Sequence, residues 1–420
     1  MSRWLIGLAW FGSVTGLAAQ ERDPGSAAVF ERFADRVIKL QVVESGSGAK
    51  SSLGTGFFVA ADGRLVTNYH VIAETVADDR YRLEWLDRDG SVGPARVLAI
   101  DVIRDLAVVA TDRARERFFS LTTPNIAKGA RLYSLGHPED LGLSIVEGTY
   151  NGLLEHTLYP KIHFTGPLNP GMSGGPSLTA DGVVVGVNVA TAGNSLSFLV
   201  PAEAASELLA SAVPDNPASF EDRIAGQVLA NQARYLGTLF RGADSSVRIG
   251  PFALPTQPAP FFRCWADADR DEDALYEFVD HRCSTDDYIY LSGTQSSGIV
   301  SLSHRVVVSR GLNPLRFYAL YSGQFSQDHS DGSEFESEDQ VTAYQCRDNN
   351  IRRDRLVMRV SFCVRRYKEY RGLYDARLKA AVLGARDAGV VSQLNMSGVS
   401  FENAERLARQ YLERIRWAKP

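Results

Sequence analysis

Cysteine is scarce: the 420 residues hold four, and none stands before Cys264. Cys264, Cys283, Cys346 and Cys363 include no pair at the close CxxC spacing that tetrahedral zinc commonly uses, which argues against a zinc site. A basic excess is also missing. Lys and Arg total 45 against 50 Asp and Glu, so the net charge of -5 provides no global field toward nucleic acid or anionic lipid. Beyond the N-terminus no apolar run is long enough to cross a membrane, so stable membrane insertion is not expected. The chain lacks internal repeats and low-complexity tracts, which excludes solenoids and biased disordered segments.

What is present is a globular composition, 45% hydrophobic, 10% aromatic and 23% charged, in a length that favours two or three domains. The opening residues, MSRWLIGLAWFGSVTGLAAQ, have a positive charge at Arg3, then an apolar stretch, then Ala18 and Ala19. This is the layout of a secretory signal peptide, expected over residues 1–19. A membrane anchor is the rival reading, but the apolar run falls short of the ~20 residues that span a bilayer and is broken by Gly7, Gly12 and Gly16. The expected location is periplasmic or secreted. In an oxidising compartment the cysteines should form disulfides; four allow three pairings, and the local one, Cys264 with Cys283 and Cys346 with Cys363, is expected.

The mature chain reads in three parts. Residues 26–212 open with an amphipathic stretch and continue as short β-like runs such as VIKLQVV, GTGFFVA, GRLVTNYHVI, DLAVVAT, KIHFTG and GVVVGVNVA, separated by turn residues, a pattern of an all-β barrel or sandwich. Residues 218–242 have apolar positions at helical spacing with Ser219 as N-cap, predicting a connecting helix. Residues 245–420 return to β-like runs, among them YIYLSG, LRFYALYSG, QVTAYQC and RLVMRVSFCV, and end in a helix beginning near Ser400. The acidic stretches in CWADADRDEDALYEF and DHSDGSEFESEDQ do not reproduce an EF-hand loop and read as solvated loops. No metal or cofactor is expected.

The chemistry concentrates in the first part. A serine hydroxyl needs a histidine to take its proton, and that histidine works best with a carboxylate holding its tautomer. In LNPGMSGGPSL, Ser173 is flanked by Gly171, Gly174 and Gly175, which let backbone amides converge on a developing oxyanion; the expected donors are the amides of Gly171 and Ser173. Among seven histidines, His70 sits at the end of a strand-like run in GRLVTNYHVIAET. His137, between Gly136 and Pro138, reads as a structural turn residue. Asp105, opening DLAVVAT, is the preferred acid, where water is scarce and an imidazolium is a valuable partner; Asp101 is the alternative.

TGFFVAADGRLVTNYHVI, DLAVV, LNPGMSGGPSL, DGVVVGVNVA and SFLVP, in that order, resemble the trypsin-like fold and most closely its HtrA/Deg branch, over roughly residues 35–208. The resemblance implies two packed six-stranded β-barrels with the site between them. It also implies that His70 is general base, Asp105 orienting acid and Ser173 nucleophile, that protein or peptide substrates are cleaved, and that the chain forms a homo-oligomer. Two departures stand out. Met172 occupies the position where that branch usually has Asn, and residues 220–420 do not read as PDZ domains.

By the same resemblance Pro167, six residues before Ser173, lies at the base of the primary pocket, where an Asp would select Lys or Arg; cleavage after basic residues is therefore not expected. Asn188, Val189 and Ala190 belong to a run that resembles the strand pairing with substrate backbone, and its small side chains suggest a small or medium apolar residue before the cut bond. The expected function is thus an exported serine endopeptidase, in protein quality control or against foreign proteins. A catalytically silent binding protein or chaperone on the same fold is the alternative.

Overall fold

The structure, a computed structural model, describes residues 25–123, 125–191, 196–212, 218–240, 245–269, 274–285, 287–326, 339–384 and 386–418. The expected signal peptide and the acidic stretch at 327–338 lie outside these residues.

A helix, α1 (Gly25–Phe33), leads into six strands: β1 (Val37–Glu44), β2 (Lys50–Phe58), β3 (Arg64–Thr67), β4 (Tyr81–Leu86), β5 (Val92–Asp101) and β6 (Leu106–Thr111). They close into a barrel in the order β1-β2-β3-β6-β5-β4. Helix α2 (Tyr69–Ala77) leaves the barrel after β3. A second closed barrel follows, built from β7 (Arg131–Gly136), β8 (Ser144–Leu153), β9 (Ile162–Phe164), β10 (Pro176–Leu178), β11 (Val184–Thr191) and β12 (Ser197–Pro201) in the order β10-β11-β12-β9-β8-β7. Helix α3 (Ala202–Ser211) ends this half.

These strands are apolar on both faces because both are covered. Ile38, Leu40, Val42, Phe58, Leu65 and Val109 enter one core. Their neighbours Val37, Phe57, Val66 and Val108 enter another, shared with Tyr133, Leu135, Leu178 and Val187 of the second barrel and with Ala202, Ala205 and Leu208 of α3. Alternation of side chains across each strand thus welds the barrels together.

Helix α4 (Phe220–Leu236) starts at Ser219, whose Oγ accepts a hydrogen bond from Asp222 N at 3.2 Å. Beyond it come β13 (Ser246–Ile249), β14 (Phe252–Pro255), β15 (Phe262–Asp269), β16 (Tyr276–Thr285), the hairpin β17 (Ile289–Ser292) and β18 (Gln295–Ser297), and β19 (Val300–Ser309). Then follow α5 (Pro314–Ser326), β20 (Gln345–Arg353), β21 (Leu356–Arg366), β22 (Tyr374–Leu383), β23 (Ala388–Val399), α6 (Phe401–Leu412) and β24 (Arg416–Trp417). Seven of these strands form one antiparallel sheet, β15-β16-β19-β23-β22-β21-β20. Its two outer hairpins are each stapled by a disulfide between directly opposed residues, Cys264–Cys283 and Cys346–Cys363, the local pairing expected. Helix α6 is capped by Ser400 and buries Ala404, Leu407, Ala408 and Tyr411.

Three β-like readings change. LRFYALYSG is helical: Asn313 Oδ1 accepts from Arg316 N at 3.0 Å, Pro314 takes the first helical position, and Phe317 and Tyr321, one turn apart, are buried on one face. Its aromatic and β-like composition concealed those start signals. GRLVTNYHVI divides, with β3 ending at Thr67 and α2 beginning at Tyr69, so His70 lies in the first turn of a helix. In QVTAYQC, Val341 makes an isolated bridge to Tyr367, and the strand begins only at Gln345.

The C-terminal half is not a separate globule. Ile224 and Val228 of α4, Ile289 and Leu291 of β17, and Val341, Tyr367, Tyr370 and Leu373 share the first barrel's core with Ile72, Ala73 and Val76 of α2.

Candidate active site

At a helix start the first N–H groups have no intrahelical acceptor. His70 N is one of these, and it donates to Asp105 Oδ1 at 2.9 Å, while His70 Nδ1 meets Asp105 Oδ2 at 2.6 Å. The carboxylate therefore grips the histidine by backbone and ring together. Asp105 reaches this position in a left-handed conformation, φ 56°, in the tight turn between β5 and β6, which Asp tolerates better than most residues. Asn68, fully buried, ties the turn down by donating from Nδ2 to the Asp105 carbonyl at 2.8 Å. Asp101 is occupied otherwise. Its Oδ1 accepts from the amides of Ile103 and Arg104 and its Oδ2 from Arg104 Nε at 2.5 Å, shaping the same turn from within.

Burial pulls the His70 pKa down, but the charge of Asp105 and its hydrogen bond outweigh this, and the histidine ends above its ordinary value. With the Nδ1 proton directed at the carboxylate, Nε2 is left to accept a proton.

Ser173 lies on the loop between β9 and β10, and that loop is fixed peptide by peptide. The Pro170 carbonyl accepts from Glu139 N at 2.9 Å, the Asn169 carbonyl from Met172 N at 3.0 Å, and the Ser173 carbonyl from Thr55 N at 2.8 Å. The Gly171 carbonyl accepts from Thr55 Oγ1 at 2.7 Å. Because a trans peptide points its C=O and N–H in opposite directions, the anchored Pro170 carbonyl turns the Gly171 amide away from Glu139. Among the described residues no acceptor meets the amides of Gly171 and Ser173. Gly171 has φ 90°, and a Cβ there would run into the His137 carbonyl. Gly174, φ 84°, packs against Thr55, Thr67 and Asn68, where a Cβ would lie 3.0 Å from Asn68 N. The serine loop is thereby seated two residues from His70.

Met172 is fully buried among Leu132, Ile162, Phe164, Leu168, Val185 and Leu199. An apolar anchor holds the loop here.

Ser173 Oγ donates to the Val189 carbonyl at 3.0 Å, and among the described residues no hydrogen bond joins it to His70. Val189 is free to accept because it is the extra residue of a bulge, where Asn188 pairs with Leu199 and Ala190 with Phe198. Asn188 has a different task from the substrate contact expected of it. Its side chain is buried, accepting from Ser134 and Ser177 hydroxyls at 2.8 Å and donating to the Leu135 and Met172 carbonyls at 3.3 and 3.2 Å. Pairing of its backbone with Gly174 and Gly175 at 2.9 Å leaves it a brace for the serine loop. Pro167 is exposed, with buried Leu168 beside it; the Ala190 side chain lies outside the described set. His137 is buried, its pKa lowered to about 4 by burial and the nearby Lys39 charge, and its amide donates to Thr55 Oγ1 at 3.0 Å.

Sequence reasoning passed over Asn68 and Thr55, and it placed Asn188 on the substrate strand without its bracing role. A buried amide or hydroxyl binding backbone leaves no pattern in a single sequence, although Asn68 stands two residues from His70. Cys264, His281 and Cys283 converge within 4.8 Å, but both sulfurs are joined in a disulfide and supply no thiolate. No described helix is long and apolar enough to cross a membrane.

Residues 54–187 match the family model of the trypsin-like peptidase domain. The chain is 30% identical over 198 residues to the mitochondrial serine protease HTRA2 of Bos taurus, covering 44% of this chain and 42% of that protein. Over 173 residues it is 30% identical to a probable periplasmic DegP-like serine endoprotease of Chlamydia pneumoniae, covering 39% and 34%. A solved HtrA-type protease, AlgW with a tripeptide, is 28% identical over 45% of this chain and 63% of that one, with a TM-score of 0.40. The chain spans less than half the length of these two curated relatives. Residues 54–187, which match the trypsin-like peptidase domain, lie within the two closed barrels with the serine loop seated beside His70, and this part of the chain is similar to serine proteases of the HtrA type.

Proposed function

We propose that the protein is an exported serine endopeptidase in which Ser173 is nucleophile, His70 general base, Asp105 its orienting acid, and the amides of Gly171 and Ser173 the oxyanion hole. The observation that carries this reading is the double engagement of His70 by Asp105, at 2.9 and 2.6 Å, beside a serine loop with two uncommitted amides. We divide the chain into a signal peptide at 1–19, a protease domain at 26–212, a connecting helix at 218–242 and a C-terminal domain at 245–420.

In the reaction Ser173 Oγ leaves the Val189 carbonyl, turns toward His70 and attacks the substrate carbonyl as its proton passes to Nε2. Negative charge collects on the former carbonyl oxygen, where the amides of Gly171 and Ser173 meet it. The imidazolium, stabilised by Asp105, then protonates the leaving amine, and water repeats the sequence to release the acyl group. Substrate backbone would lie along the strand at Val189 and Ala190, favouring a small or medium apolar residue before the cut bond. Export is supported by the charged, apolar and small-residue layout of residues 1–19.

Labelling with a fluorophosphonate beside a Ser173→Ala control tests the assignment. Labelling of the parent and none of the variant is expected. Absence of labelling in well-folded parent protein sinks the enzyme reading in favour of a silent binding protein.

A further inference from the structure

We propose that Tyr290, carried by the C-terminal half, is a positioning residue for His70, so that the histidine of the protease site is held from outside the protease domain. The inference rests on the protease reading above.

The tyrosine ring stands edge-on to the His70 imidazole, with centroids 6.2 Å apart and planes at 75°, and edge-on to Tyr69 at 6.4 Å and 68°. The hairpin that bears it is firmly seated. Tyr69 OH donates to the Leu291 carbonyl at 2.9 Å, and Ile289 and Leu291, on either side of Tyr290, are buried in the core of α2. Just before the hairpin, buried Asp287 accepts from Leu158 N at 2.9 Å and from Lys161 Nζ at 2.7 Å, both in the connection between β8 and β9 of the second barrel. From behind, Gln340 Nε2 donates to Ser292 Oγ at 3.2 Å and Tyr367 OH to the Ser296 carbonyl at 3.3 Å. The segment 287–297 therefore straps both barrels while presenting one ring to the histidine.

Asp105 fixes His70 through a single ring nitrogen. An imidazole held at one atom can still rock about that hydrogen bond, which would swing Nε2 away from Ser173. An aromatic edge against the ring removes that freedom and keeps water from the side of the Asp–His pair it covers. The side chain of His70 remains 29% exposed, so the tyrosine covers it only in part.

The test uses the full chain with Tyr290→Ala and Tyr290→Phe. The alanine variant should be labelled by a fluorophosphonate about 10- to 100-fold more slowly than the parent, and on casein as a generic unfolded substrate the loss should fall on kcat with KM little changed. Phenylalanine, which keeps the ring, should restore both rates. If alanine disrupts folding, Tyr290→Leu keeps apolar volume without an aromatic edge and should show the same loss. Labelling of the ring-less variant at the parental rate, a loss confined to KM, or failure of phenylalanine to rescue would each overturn the proposal. A parent that does not label at all instead removes the protease reading beneath it.

Discussion

Both carboxylate oxygens of Asp105 are committed to His70, Oδ1 to its backbone N–H at 2.9 Å and Oδ2 to its ring Nδ1 at 2.6 Å. Replacing one oxygen by an amide turns an acceptor into a donor and removes the charge that stabilises the imidazolium. Asp105→Asn should keep the fold and lower kcat by about 10^4-fold with KM little changed. A kinetic comparison in which the variant retains a tenth or more of the activity would contradict the role given to this carboxylate.

The pH profile has a definite sign. Although burial disfavours charge on His70, Asp105 overcomes it and raises the pKa, and a base must be neutral to take the serine proton. Fluorophosphonate labelling should therefore rise with pH through a midpoint above about 6.5. Stability runs the other way: the contribution of the His70–Asp105 pair is complete below the unfolded value and fades as pH climbs through the folded one. A midpoint at or below about 6.5 would contradict the balance of forces described.

Met172 bears on how the serine loop is held. Its side chain is wholly buried, so Met172→Ala should cost about 2–5 kcal/mol. Met172→Asn, which restores the residue usual in the branch, would bury an amide among six apolar neighbours and should also destabilise, by about 1–3 kcal/mol if that amide finds no partner. Denaturant unfolding measures both; a neutral asparagine would mean the loop can be re-anchored by polar contacts.

At Gly171 the positive φ of 90° and the adjacent His137 carbonyl leave no room for a side chain. Gly171→Ala must shift the loop and the amide with it, so labelling should fall about 100- to 1000-fold while circular dichroism stays close to that of the parent. Undiminished labelling would remove this amide from the oxyanion site.

The disulfide Cys346–Cys363 closes a separation of 17 residues at one edge of the seven-stranded sheet. Replacing both cysteines by serine should lower stability by about 3 kcal/mol on the chain-entropy account, read as a reduced denaturation midpoint relative to the parent.

Much of the first half was legible because its signals are local. Ser173 stands in a run of glycines required by positive φ at Gly171 and Gly174, and Asp105 opens a strand whose apolar residues place it at a core edge. Helix α4 announced itself through its capping Ser219 and apolar spacing, and α6 through apolar spacing from near Ser400. Helix α5 was concealed by aromatic residues that suit strands as well, though Asn313 and Pro314 marked its start.

By itself, the order of residues determined the three motifs and the short-strand architecture of residues 26–212, and it favoured the local disulfide pairing, each a matter of neighbours a few positions apart or of short loops. Only the tertiary structure decided that Asn188 braces the serine loop from inside the second barrel, that the Val189 carbonyl accepts a hydrogen bond from the Ser173 hydroxyl, and that Tyr290 lies against a histidine 220 positions earlier in the chain. Those contacts depend on how closed barrels and a docked hairpin pack in space. Packing of residues far apart in the chain leaves no periodicity or spacing in one sequence from which it can be read.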